Sequence, residues 1–98
     1  MKARLTPEAE HDANEGLAWY DQKSNTLGDE FLQNVNKCIQ SIERYPEMHP
    51  RVYRRMRRAL LRSFPYQVLY EIDPTEIVVY AVYHCARDPK DWKKRVTA

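Results

Sequence analysis

Glycine is scarce here. The chain has two in 98 residues, Gly16 and Gly28. A glycine-rich phosphate cradle needs several within one loop, which excludes P-loop and dinucleotide-binding chemistry. Cysteine is equally scarce. Cys38 and Cys85 form no CxxC pair and no Cys/His metal spacing, so a disulfide framework and a zinc site are both excluded, and no metal or other cofactor is implied. The two thiols read as buried or reduced. No apolar run approaches the ~20 residues that span a bilayer. The first residues, MKARLTPEAE, lack the apolar segment of a secretory signal. The expectation is a cytoplasmic protein with no membrane role. G-x-S-x-G and H-E-x-x-H are missing too, as are repeats and interdomain linkers. Residues 1–98 read as one domain.

What is present centres on Phe64 to Arg87. Tyr66–Ile72 and Ile77–Tyr83 are rich in aromatic and β-branched residues. Asp73-Pro74-Thr75-Glu76 between them has turn chemistry, so the stretch predicts a β-hairpin. Pairing Ile72 with Ile77 sets Tyr70 against Val79, Val68 against Ala81 and Tyr66 against Tyr83 on an apolar face. The other face then carries Leu69 opposite Tyr80 and Gln67 opposite Val82, with His84 at its end. That face is expected to be open, and the second strand, apolar on both sides, to be central.

Two helices precede it. Thr6-Pro7-Glu8 is a helix start, with Thr6 as cap and Pro7 at the first helical position. Ala9, Ala13, Leu17 and Tyr20 then recur at helical spacing to about Lys23, with Glu8, Glu10, Asp12 and Glu15 on the remaining surface and Trp19 off the stripe. Ser24-Asn25-Thr26 breaks the pattern. A second helix carries Phe31, Val35, Cys38, Ile42 and Tyr45, widened by Leu32 and Ile39, and ends before Pro46. The pair predicts a helical hairpin covering one sheet face. With a short strand at Lys2–Leu5 and another at Ala59–Leu61, the order is β-α-α-β-β-β. The fold class is α+β, an N-terminal strand and helical hairpin followed by a three-stranded antiparallel sheet. Asp88 or Asp91 is expected to start one helical turn holding Trp92, Lys93 and Arg95.

Charge divides the chain. Residues 1–49 hold five Lys/Arg against nine Asp/Glu, and residues 50–98 hold eleven against five. The basic half fits a polyanionic or acidic partner, or a solvated surface that balances the helices. Arg54, Arg55, Arg57 and Arg58 are its densest part. They could hold phosphates or carboxylates bidentately, or keep an exposed edge strand from aggregating. Trp92 with Lys93, Lys94 and Arg95 could stack on a base and contact phosphate, or Trp92 could fold back over the sheet edge. His84, Arg87 and Arg62 could form a metal-independent set for RNA cleavage, a base or acid with cations for the phosphorane. Against this, His84 also reads as a structural histidine bonding the following loop. His11 and His49 read as surface residues.

FPYQVLYEI, then IVVYAVYHCARDP, then the W-x-x-R of Trp92 to Arg95 resemble the RelE/ParE superfamily of toxins, the plasmid stabilisation protein group. Thr6-Pro7-Glu8-Ala9 and the helix end at Tyr45-Pro46 are similar as well, so the resemblance spans nearly the whole chain. It implies the toxin of a type II toxin–antitoxin module, neutralised by a cognate antitoxin. RelE-like members are endoribonucleases cutting mRNA on the ribosome; ParE-like members poison DNA gyrase. The resemblance places Arg62, His84 and Arg87 where nuclease members have functional groups. It also finds Gln67 and Glu71 in place of the usual central-sheet lysines. A ribosome-dependent nuclease is therefore the first expectation, a gyrase inhibitor the second, and a degenerate toxin that only binds its antitoxin the third.

Overall fold

In the computed structural model, which describes residues 1–97, helix α1 (Pro7–Lys23) starts where the cap chemistry places it. Thr6 accepts a hydrogen bond from the Ala9 amide at 3.1 Å, and Pro7 needs no partner in the first turn. Ala98, the last residue of the expected domain, lies outside the described residues. The break before α2 (Asn25–Arg44) is a single residue. Ser24 donates its amide to the Tyr20 carbonyl, ending α1, and accepts from the Gly28 amide, opening α2. Phe31, Val35 and Ile42 form the buried line of α2, while Leu32 and Tyr45 stay exposed. Tyr45 caps the helix and a 3-10 turn (Pro46–Met48) follows.

The α+β class and the helical hairpin match the expectation; the sheet does not. It has five strands rather than three plus an isolated N-terminal one, in the order β1-β5-β4-β3-β2. β1 (Ala3–Leu5) pairs parallel with β5 (Ile77–His84). The arginine run folds as a hairpin of β2 (Arg51–Tyr53) and β3 (Met56–Leu60), which pairs with β4 (Tyr66–Ile72). The strand expected at Ala59–Leu61 therefore begins three residues earlier, and β2 was not expected at all. Five arginines hide these strands because their alkyl stems and charged heads suit an exposed edge, leaving no clean apolar alternation to read.

The register of β4 with β5 also needs correction. Ile72↔Ile77, Glu71↔Val78 and Tyr70↔Val79 pair as expected. Tyr80 is then an extra residue, and the ladder resumes at Leu69↔Ala81, Val68↔Val82, Gln67↔Tyr83 and Tyr66↔His84. This β-bulge moves Val82 and His84 to the side of the helical hairpin and sends Ala81 and Tyr83 to the opposite face. The apolar pattern could not prevent the slip, because Val78 to Tyr83 is apolar on both faces.

Two cores result. Between helices and sheet lie Phe31, Val35, Ile42, Val68, Tyr70, Val79 and Val82. At one end an aromatic nest forms, with ring centres 4.8 Å apart for Tyr20–Phe64 and 4.9 Å for Phe31–Tyr66, in edge geometry. On the other face Met56, Leu69, Ala81 and Tyr83 pack under Trp92, which is 4% exposed. Trp92 belongs to α3 (Pro89–Thr97), a full helix rather than the single turn expected. Asp88 starts it by accepting from the Lys90 amide at 3.0 Å. The face expected to be open is thus covered in part, and Leu69 is fully buried. Among the described residues no helix is long and apolar enough to cross a membrane.

Candidate functional site

β1 is too short to cover the whole outer edge of β5. Its last contribution is the Thr6 amide, donated to the Val79 carbonyl at 3.0 Å. Beyond that point the bulge leaves the Tyr80 carbonyl and Val82 amide facing outward. Asp12 of α1 accepts from the Val82 amide at 3.0 Å, and Arg95 of α3 donates to the Tyr80 carbonyl at 2.9 Å. The two side chains bond each other at 2.6 and 3.1 Å, and Arg95 also donates to the Tyr83 hydroxyl at 3.2 Å. The pair completes the sheet edge as a strand would. Asp12 is 5% exposed, not on the solvent surface as expected. The signal for this was available: Ala9, Asp12 and Gly16 follow helical spacing with the two small residues, so a lone carboxylate stands in a buried line.

Arg95 and Trp92, expected as binding residues, are therefore used inside the molecule. The bland reading of the tryptophan, folding back over the sheet, is what the structure has.

Next to this pair is a groove of about 230 Å³ lined by Asp12, Glu15, Gly16, Trp19, Tyr66, Val82, His84 and Arg87. His84 is here, facing α1, because the bulge turned it from the side expected to be open. Its Nδ1 accepts from the Ala86 amide at 3.0 Å, which places the proton of the neutral ring on Nε2. Its ring meets the edge of Tyr66 at 5.3 Å. Burial pushes the Tyr66 phenol up from its usual value, with the neighbouring Tyr20 adding to the rise. The Arg87 guanidinium lies 3.8 Å over the Tyr83 ring. Trp19 is 54% exposed at the groove rim, with the Lys23 ammonium 4.6 Å from its ring.

Arg62 is elsewhere. It lines a separate cavity of about 370 Å³ with Asn34, Lys37, Cys38, Ser41, Leu60 and Ser63. The structure brings His84 and Arg87 into one groove and leaves Arg62 out of it.

The arginine hairpin divides by role. Arg55 donates to the Ile72 carbonyl at 2.8 Å, and Arg57 to the Glu47 and His49 carbonyls at 3.1 and 2.6 Å. Both staple the hairpin to neighbouring backbone. Arg54 and Arg58 are exposed and form no salt bridge among the described residues. Lys93 of α3 sits 4.9 Å from the Tyr53 ring, and Lys94 is exposed one residue on.

The chain thus carries a helical hairpin on one face of a sheet ordered β1-β5-β4-β3-β2, with a C-terminal helix packed on the other. Residues 3–89 match the model of the family described as ParE toxin of type II toxin–antitoxin system, parDE, and the chain belongs to that family. A solved chain of the chromosomal ParDE toxin–antitoxin system from P. aeruginosa superposes with a TM-score of 0.59 at 18% identity. The match covers 86% of this chain and 95% of that one, and shows the shared fold. No curated protein matches significantly in sequence.

Proposed function

We propose that this type II toxin, held inactive by a cognate antitoxin, arrests growth by binding DNA gyrase and does not cut nucleic acid. The separation of Arg62 from His84 and Arg87 carries this reading. Cleavage through 2′-hydroxyl attack needs base, acid and cation around one phosphate. Groups in two different cavities do not meet at one. Arg87 is further engaged over Tyr83, and Gln67 is buried in β4 where nuclease members carry cationic side chains. The ParE family match supports the same reading. The test is a supercoiling assay with purified toxin. Inhibition or trapped cleavage complexes is expected, reversed by antitoxin; an unaffected gyrase would sink the proposal.

One observation favours a second reading, a ribosome-dependent endoribonuclease. His84, Arg87, Glu15 and Tyr66 share a groove and include groups able to move protons. Under this reading purified toxin cleaves mRNA on translating ribosomes, and His84→Ala with Arg87→Ala abolishes the cleavage. Intact mRNA under wild-type toxin removes it.

A further inference from the structure

We propose that an extended, acidic segment of the antitoxin adds a strand to the sheet at Leu60, along the part of β3 that β2 leaves open. The inference rests on the toxin–antitoxin half of the reading above and is independent of its gyrase half.

The backbone defines the place. The Arg58 amide donates to the Pro50 carbonyl at 3.0 Å, and β2 pairs no further along β3. The Leu61 amide donates the other way, to the Tyr66 carbonyl of β4 at 3.0 Å. Successive residues of a strand turn their backbone groups to opposite edges. Leu60, two positions after Arg58, therefore turns its amide and carbonyl outward. Among the described residues that amide has no backbone partner. The carbonyl meets the Cys38 thiol of α2 at 4.0 Å, and a thiol is a weak donor. The Leu60 side chain is 59% exposed. An open strand edge with an exposed leucine invites another strand.

The groups on this edge also select the occupant. Leu60 offers a donor and an acceptor side by side, which a second peptide strand answers with its own carbonyl and amide. A phosphodiester carries acceptors only, so it leaves the Leu60 carbonyl unanswered. Lys37 and Arg62 line the adjoining cavity, and among the described residues no carboxylate does. The added strand thus carries carboxylates for these two cations and an apolar residue beside Leu60. A second copy of this chain fits poorly, because two-fold pairing through this edge sets Lys37 and Arg62 near their own images. The walls of the cavity are joined before any partner arrives: Asn34 of α2 accepts from the Ser63 amide at 3.3 Å. Arg62, set apart from His84, is here a partner-binding residue.

The experiment follows amide exchange by NMR in isotope-labelled toxin, alone and bound to the cognate antitoxin. The Leu60 amide should exchange freely in the toxin alone and become protected in the complex. The Leu61 amide, already bonded to β4, should be protected in both. Lys37→Glu and Arg62→Glu should each slow association about tenfold at low salt. Lys90→Glu, the same change of charge on α3 across the sheet, should not. Neither Lys37 nor Arg62 forms a salt bridge among the described residues, so the melting temperatures of their variants should hold. Three results would overturn the proposal: a complex in which the Leu60 amide still exchanges freely, charge variants that associate like wild type, or a DNA duplex that protects this amide where antitoxin does not. An antitoxin that fails to bind wild-type toxin overturns the toxin–antitoxin reading as well. Gyrase is absent throughout, so a failed supercoiling assay speaks against the gyrase reading alone.

Discussion

Asp12 and Arg95 stand 83 positions apart and form one ion pair, its shortest bond 2.6 Å, that also satisfies the Val82 amide and the Tyr80 carbonyl. It joins α1, β5 and α3 at the point where β1 ends. Removing Asp12 leaves a partly buried guanidinium and an orphaned backbone donor. Asp12→Ala should therefore lower unfolding stability by about 3–5 kcal/mol. The double variant Asp12→Leu, Arg95→Met should lose less than the sum of its single changes, measured by urea denaturation, because neither leaves an uncompensated charge.

The two glycines should respond in opposite directions to alanine. A Cβ on Gly16 would lie 2.6 Å from Phe31 Cζ, a ring fixed in the aromatic nest. Overpacking costs about 1–3 kcal/mol, against about 1 kcal/mol gained in helix propensity, so Gly16→Ala destabilises. At Gly28 the added carbon meets mainly the exposed Asp21 carboxylate, a flexible side chain that can swing away. Gly28→Ala should raise stability by about 0.5–1 kcal/mol. Paired thermal melts decide both.

Trp92 is buried for its bulk rather than for its polar atom. Its Nε1 has no hydrogen-bond partner among the described residues. Trp92→Phe should keep most of the packing on Met56, Leu69 and Tyr83, whereas Trp92→Ala should cost about 3–5 kcal/mol. Equal losses in the two variants would mean that the indole nitrogen matters.

Stability should decline in alkali from about pH 9 upward. Burial pushes the Cys38 thiol up to about 11 and the Tyr70 phenol up to about 12, from 9.0 and 10.0. Both groups hold their protons more tightly in the folded chain. Their contribution is full below the unfolded values and is lost as pH rises through the folded ones. Cys38→Ala should flatten the part of the profile between about pH 9 and 11. At pH 8 a thiol reagent should modify exposed Cys85 well before Cys38.

Some of this molecule follows from local chemistry. Thr6 and Pro7 can start a helix in almost any setting, because the cap bond reaches only to Ala9. Phe31, Val35 and Ile42 define a buried stripe from spacing alone. Asp73 to Glu76 form a turn through their own backbone, closed by the Asp73 amide on the Glu76 carbonyl. These elements were legible because each is decided within a few residues.

The rest depended on partners distant in the chain. Nothing near Tyr80 marks it as a bulge, since both faces of its strand are apolar; the choice falls to what packs on each face, Val82 under the helices and Tyr83 under α3. That one extra residue turned His84 into the α1 groove and away from the side where an open catalytic face was expected. Arg62 was likewise grouped with His84 by chemistry and parted from it by the packing of α2 against β3. Local rules determined which segments are helix or turn in the first half and where the main hairpin lies. Tertiary structure decided which side chains share a face, because a strand residue changes sides with a single step of register.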